Sequence, residues 1–283
     1  MSTHISINKL ANTRVLVVGG TSGIGFAVAR IALEHGASVI VASSKSDKVH
    51  SAITRLKSFY PDEEYTARIA GTVCDLGDPE TLEANVVNLY NFSTASDTFP
   101  TQRGNQTKDA SNKVLLDHVV MTAGDAVNLR KPTDPTFDVP YIQSLGTVRF
   151  IGGLILAKHA ASYMHSAPSS SLTFTSGVNT TRPMPGWSAI AASGAAIEGM
   201  ARGLAVDLAP IRVNTVSPGA VQTEIFDSLE TKNLENLIEM FRSWTLTGEI
   251  GKPEDVAESY LYLMKDRFVT GALIESNGGR LLK

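Results

Sequence analysis

One stretch narrows the folds open to this chain more than any other. Arg14-Val15-Leu16-Val17-Val18 runs directly into Gly19-Gly20-Thr21-Ser22-Gly23-Ile24-Gly25, after which apolar residues recur at helical spacing to His35. An unbroken β-branched run ending at glycine is a strand buried on both faces, the kind found in parallel sheets covered by helices. Gly19 permits a tight turn, Gly23 lets backbone approach a ligand's phosphates, and Gly25 lets the helix sit close on the sheet. The free N–H groups opening that helix then face the phosphates. A glycine trio alone is unspecific, but the strand-turn-helix context it requires is present. A dinucleotide site is therefore predicted around Gly19, Thr21, Ser22, Gly23 and Ile24.

The remaining chain alternates in the same way. Strands are predicted over 14–19, 37–42, 67–74, 114–121, 171–175 and 211–216. Helices are predicted over 24–35 (capped by Gly36), 47–59, 79–92 and 187–209, with a long one ending near Met164. Such alternation implies an α/β fold, a parallel sheet with helices on both faces. No linker divides the chain, so residues 1–283 are expected to form a single domain. Residues 93–113, with Pro100 and Gly104, form a polar insertion expected on the surface, with an interface or lid as the other reading.

Charge and cysteine usage exclude some classes. The net charge of −3 gives no electrostatic reason to expect nucleic acid or an anionic membrane as partner. Cys74 is the sole cysteine, so no internal disulfide can form and a reducing compartment is the default. No apolar run approaches the roughly 20 residues that span a bilayer, and the start of the chain lacks a signal-peptide pattern. A cytoplasmic protein is expected. His, Cys and carboxylates show no metal-ligand spacing, so no metal is expected.

Further motifs follow in order. They are Cys74-Asp75-Leu76 after the third strand, Thr122-Ala123-Gly124, and Ile211-Arg212-Val213-Asn214-Thr215-Val216-Ser217-Pro218-Gly219 followed by Thr223. Gly251-Lys252-Pro253-Glu254-Asp255-Val256-Ala257 and Asn277-Gly278-Gly279 complete the series. From about Leu10 to Lys283 the chain resembles the short-chain dehydrogenase/reductase family. The resemblance implies a single Rossmann-type, doubly wound parallel sheet of about seven strands and a nicotinamide dinucleotide. It also implies a small-molecule substrate and a homo-oligomer, dimer or tetramer, built on the Ala/Gly-rich helix 188–209. Carried over position by position, the cofactor residues are Gly19, Thr21, Ser22, Gly23, Ile24, Ser43, Ser44, Lys45, Asp75, Leu76, Ala123, Gly124, Arg149, Pro218, Gly219, Val221 and Thr223.

Cofactor choice turns on the end of the second strand. An acid there would bond a ribose 2′-OH and repel a 2′-phosphate. This chain has Ala42-Ser43-Ser44-Lys45, with Ser43 at the acid's place. Two hydroxyls and an ammonium favour NADP(H), unless Lys45 is only a solvated loop lysine.

The catalytic positions depart from the family. Its Asn, Ser, Tyr and Lys fall here on Arg149, on Ser176 or Gly177, on Ile190 and on Gly194. The tyrosine-lysine proton relay cannot operate. Reducing a ketone creates an alkoxide and needs a donor, whereas reducing an iminium cation gives a neutral amine directly. Thr175-Ser176-Gly177, Arg182-Pro183, Gly186-Trp187 and Gly194-Ala195 are similar to a divergent fungal branch of the family from secondary metabolism. That branch includes the reductase/Diels–Alderases of prenylated indole alkaloid pathways, which also lack Tyr and Lys. The resemblance implies iminium reduction with NADPH followed by an intramolecular [4+2] cycloaddition.

Candidate catalytic groups follow. Trp187 can stack on an indole or cationic ring, or pack as core. Asp125 can pair with a substrate cation, or cap a helix. Arg130 can orient a carbonyl, pair with Asp125, or lie on the surface, and Ser176 is one of the two positions open for the family's serine. Two other functions stay open: a redox-inactive NADP(H)-binding protein, and a carbonyl reductase with a rearranged acid such as Tyr163 or Tyr141.

Overall fold

Strands β1 (Arg14–Val18), β2 (Ser38–Ser43), β3 (Ile69–Val73), β4 (His118–Met121), β5 (Ser171–Thr175), β6 (Arg212–Pro218) and β7 (Leu273–Ser276) form one sheet. Every pairing in it is parallel, in the order β3-β2-β1-β4-β5-β6-β7. The computed structural model describes residues 6–99, 113–125, 128–224 and 231–283. The strand order reverses between β1 and β4, and in open α/β sheets ligands bind outside the carboxyl ends at such a switch.

The helices are α1 (Gly23–Glu34), α2 (Ser46–Phe59), α3 (Glu63–Thr66), α4 (Leu82–Thr94), α5 (Val139–Ser144), α6 (Gly152–Tyr163), α7 (Ser188–Asp207), α8 (Thr231–Trp244) and α9 (Pro253–Lys265). Alternation along β1 splits the core into two layers. Leu16 and Val18 face α4, α6 and α7, while Val15 and Val17 face α1, α2 and α9. All four are buried, each contributing about 1.5–3 kcal/mol of apolar transfer.

Three sequence expectations change. β4 starts at His118 rather than near 114, because the Asp117 carboxylate takes the Arg14 N–H at 2.8 Å and caps the ladder. The long helix before Met164 is broken. Gly146, at φ +95°, starts a π-helical turn over Thr147–Ile151, with the Phe150 and Ile151 N–H groups both on its carbonyl at 2.8 and 2.9 Å. Such turns recur at functional sites.

The insertion is also not all surface. Its first residues, Ser93 and Thr94, end α4 and are buried, as is Phe99, over whose ring the buried Arg14 guanidinium lies at 5.0 Å. Most of the expected insertion, 100–112, lies outside the described residues. Among the described residues no helix is long and apolar enough to cross a membrane.

Candidate active site

The carboxyl ends of the strands open into a cleft of about 850 Å³. Its floor is the glycine turn. Gly19 has φ +88°, and a Cβ on Gly25 would fall 2.2 Å from the Gly19 carbonyl oxygen and 2.3 Å from Thr122 Oγ1. Only bare backbone lets α1 sit this close to β1, and the start of that helix, Gly23 to Gly25, lines the cleft. A dinucleotide pyrophosphate fits this cradle of backbone donors.

At one end Ser43, Ser44, Cys74, Asp75 and Leu76 line the cleft together with Lys48. Lys45, expected here, does not line it. It is the N-terminal cap of α2, and the lysine three residues on is turned toward the cleft instead. At the other end stand Thr122, Ala123, Gly124, Asp125, Arg149, Pro218, Gly219 and Thr223, with Thr21, Ser22, Gly23 and Ile24 between the two. Val221 also falls away from the cleft, because its backbone bridges Gly251 and its side chain packs against the layer of α1 and α9.

The π-helical turn aims Arg149. The Asp125 carboxylate accepts the N–H groups of Val148 at 2.9 Å and Arg149 at 3.3 Å, so it caps that turn while still lining the cleft. The Arg149 guanidinium lies over Gly124, where a Cβ would come within 2.1 Å of Nη2, and Nε donates to the Ala123 carbonyl at 3.3 Å. Burial lowers its pKa, opposed by Tyr260 and Asp125. Beneath it, Thr175 Oγ1 donates to the Met121 carbonyl at 2.7 Å and accepts the Tyr260 hydroxyl at 2.7 Å. Burial pushes Tyr260 up to about 12.

Past β5 the opposite wall of the cleft begins. Ser176 is buried at the cleft edge, and its Oγ donates to Glu198 Oε1 at 3.0 Å. Trp187, Ile190, Ser193, Gly194 and Ile197 line this wall from α7 and its N-cap, with Asn179 and Thr180 beside them. Thr180 fills the room beside Gly194, where a Cβ would fall 2.2 Å from Thr180 Oγ1. No phenol and no ammonium stands at 190 or 194.

Arg130 is not part of this wall. Its guanidinium lies 4.3 Å over the Tyr141 ring and bonds the Thr136 carbonyl, outside the cleft. The two rearranged acids are also elsewhere. Tyr163 donates to Asn91 Oδ1 at 2.9 Å and Tyr141 to the Asn128 carbonyl at 2.8 Å, and neither lines the cleft.

Sequence reasoning missed Glu198, Thr180, Glu224 and Lys48. Glu198 alone carried a signal, as an acid four residues past Gly194 in a helix otherwise rich in Ala and Gly. Among the described residues no group of three or more His, Cys, Asp or Glu is placed to hold a metal ion.

A seven-stranded parallel sheet with a glycine turn under a cleft at its switch point defines a nucleotide-binding α/β protein, and residues 6–283 match the family model described as an SDR-like Rossmann domain. The chain belongs to that family, the short-chain dehydrogenases/reductases. It is 40% identical over 281 residues to the short-chain dehydrogenase/reductase malC of Malbranchea aurantiaca, covering 99% of each chain. The solved structure of the MalC reductase/Diels-Alderase from that organism superposes with a TM-score of 0.87 at 39% identity, covering 98% of this chain and 100% of the other. A small-chain dehydrogenase solved in complex with NADPH gives a TM-score of 0.69 at 26% identity, over 96% and 100% of the two chains.

Proposed function

We propose that this protein is an NADP(H)-dependent reductase of a small natural-product intermediate whose acceptor is an iminium or similarly activated cation. The observation that carries this reading is the Ser176 hydroxyl, whose only proton goes to Glu198. A hydroxyl serving a carbonyl reductase here would have to donate to the developing oxyanion. Here Ser176 presents lone pairs to the cleft, with a carboxylate behind it, and such a pair favours an N–H or a positive charge. Ile190 and Gly194 offer no proton, and an iminium needs none at the transition state. Asp125 adds negative field at the same end of the cleft, and Trp187 offers a ring face to a cation or an indole.

The dinucleotide, when bound, supplies hydride. Gly19, Ser22 and Gly23 would hold its pyrophosphate, and Ser43, Ser44 and Lys48 its 2′-phosphate. A second step, an intramolecular [4+2] cycloaddition of the reduced product in indole alkaloid biosynthesis, extends the proposal. It is supported by the likeness to the MalC reductase/Diels-Alderase along the whole chain.

The test pairs a cyclic iminium with a ketone of matched shape. NADPH is expected to bind, seen as a change in nicotinamide fluorescence, and to be consumed on the order of 100-fold faster with the iminium, the span one missing general acid explains. Equal or faster ketone reduction would reverse the assignment, and the same titration with NADH reads cofactor preference. A cycloadduct formed in the same isomer ratio without protein would remove the second step. One observation favours the carbonyl reading: the Arg149 guanidinium lines the same end of the cleft and is able to stabilise an oxyanion.

A homo-oligomer is part of the proposal. Ala192, Ala195, Gly199 and Gly203 form an exposed strip at helical spacing on α7, flat enough for a second copy to approach closely. A dimer or tetramer is expected by light scattering, and a monomer at micromolar concentration would contradict it.

A further inference from the structure

The backbone donors that should receive the pyrophosphate are not all free. The Gly23 N–H, first in α1, donates to Glu224 Oε2 at 2.7 Å. The other oxygen of that carboxylate stands 3.6 Å from Arg55 Nη1 on α2. Thr223 presses on the same spot, since a Cβ on Gly23 would fall 2.9 Å from Thr223 Cγ2. The end of the loop after β6 is thus laid across the start of α1, with a carboxylate where a phosphate oxygen belongs.

We infer that Glu224 is an internal competitor for the cofactor's phosphate seat, a carboxylate latch that must leave before a dinucleotide seats fully. This rests on the reading that the cleft takes NADP(H). One N–H cannot donate at full strength to two anions, so the carboxylate and the pyrophosphate exclude each other at Gly23. The positive end of the helix dipole favours either anion. Arg55 stays in place through the exchange. Its guanidinium lies 4.1 Å over the Phe26 ring, so when Glu224 departs a cation remains beside the seat for the incoming phosphate. Arg55 is thereby assigned to phosphate binding, a role the glycine motif does not predict.

The latch must be weak to be useful. The side chains of Arg55 and Glu224 are 44% and 43% exposed, and solvent screens such a pair. What remains is one charge-assisted hydrogen bond at a helix terminus. Apparent affinity for the cofactor is then reduced by the fraction of molecules whose seat is open.

The experiment compares the full-length protein with Glu224→Gln and Glu224→Ala, titrated with NADPH by fluorescence and with inorganic pyrophosphate by calorimetry. Both variants are expected to bind both probes about 3-fold to 10-fold more tightly. Arg55→Gln placed in the Glu224→Gln background is expected to cancel most of that gain for pyrophosphate. If wild type binds NADPH and neither variant binds it more tightly, the latch is overturned while the cofactor reading stands. If wild type fails to bind NADPH, the cofactor reading falls and pyrophosphate decides the latch alone. Tighter pyrophosphate in both variants supports it, and equal or weaker binding overturns it.

Discussion

Restoring the family's pair, as Ile190→Tyr with Gly194→Lys, is expected to yield no ketone reductase and to cost most of the iminium turnover. Three features of the site converge on that result. The new lysine's Cβ would fall 2.2 Å from Thr180 Oγ1, so the side chain cannot enter without moving Thr180 or bending α7. The Ser176 proton would still be committed to Glu198, leaving the tyrosine without its usual partner at the oxyanion. Any ammonium that did reach the site would repel a cationic acceptor by about 4 kcal/mol at about 4 Å for an effective dielectric near 20. Adding Thr180→Ala should recover folding and thermal stability but not ketone activity. NADPH consumption on matched iminium and ketone substrates checks all of this. A double variant with strong ketone turnover and intact iminium turnover would show the site to be a lapsed carbonyl reductase instead.

The second large effect is structural. Gly25→Val is expected to abolish NADPH binding and to destabilise the fold by about 3 kcal/mol or more, as overpacking against unyielding backbone does. Its Cβ would meet the Gly19 carbonyl oxygen at 2.2 Å and Thr122 Oγ1 at 2.3 Å. The carbonyl belongs to the turn itself, and Thr122 Oγ1 donates to the Val18 carbonyl at 3.1 Å, so neither can retreat cheaply. Wild-type stability and binding in Gly25→Val would mean that α1 does not rest on the turn as described.

What was legible in the sequence follows from range. The glycine turn, the β1 strand and the helix after it lie within one short segment, and turn chemistry there is local. Strand-helix alternation carried the sheet for the same reason. The site's polar logic is not local. Ser176 and Glu198 are 22 residues apart, and Gly23 and Glu224 are 201 apart, so no pattern along the chain announces either bond. Lys45 follows the serines directly, and nearness in sequence points to it. Lys48, on the first turn of α2, is the lysine that lines the cleft, a difference of one helical turn that only coordinates reveal. Arg130 follows Gly124 by six residues, and that nearness points to the site. Its guanidinium stands over the Tyr141 ring, outside the cleft.

The π-helical turn at Thr147–Ile151 leaves a mark on how relatives of this chain should be compared. Leu145 is extended and Gly146 left-handed, so α5 and the π-turn share no common helical phase, and the turn adds one residue where the chain enters α6. A helical wheel drawn back from Met164 through Arg149 therefore assigns the upstream residues to the wrong side. An alignment that assumes one continuous helix across 139–163 will misplace residues there, and the error falls on Arg149, which lines the cleft. Within this family, a gap or insertion at that point marks a change in which side chain points into the cleft, while the core face of α6 stays as it was.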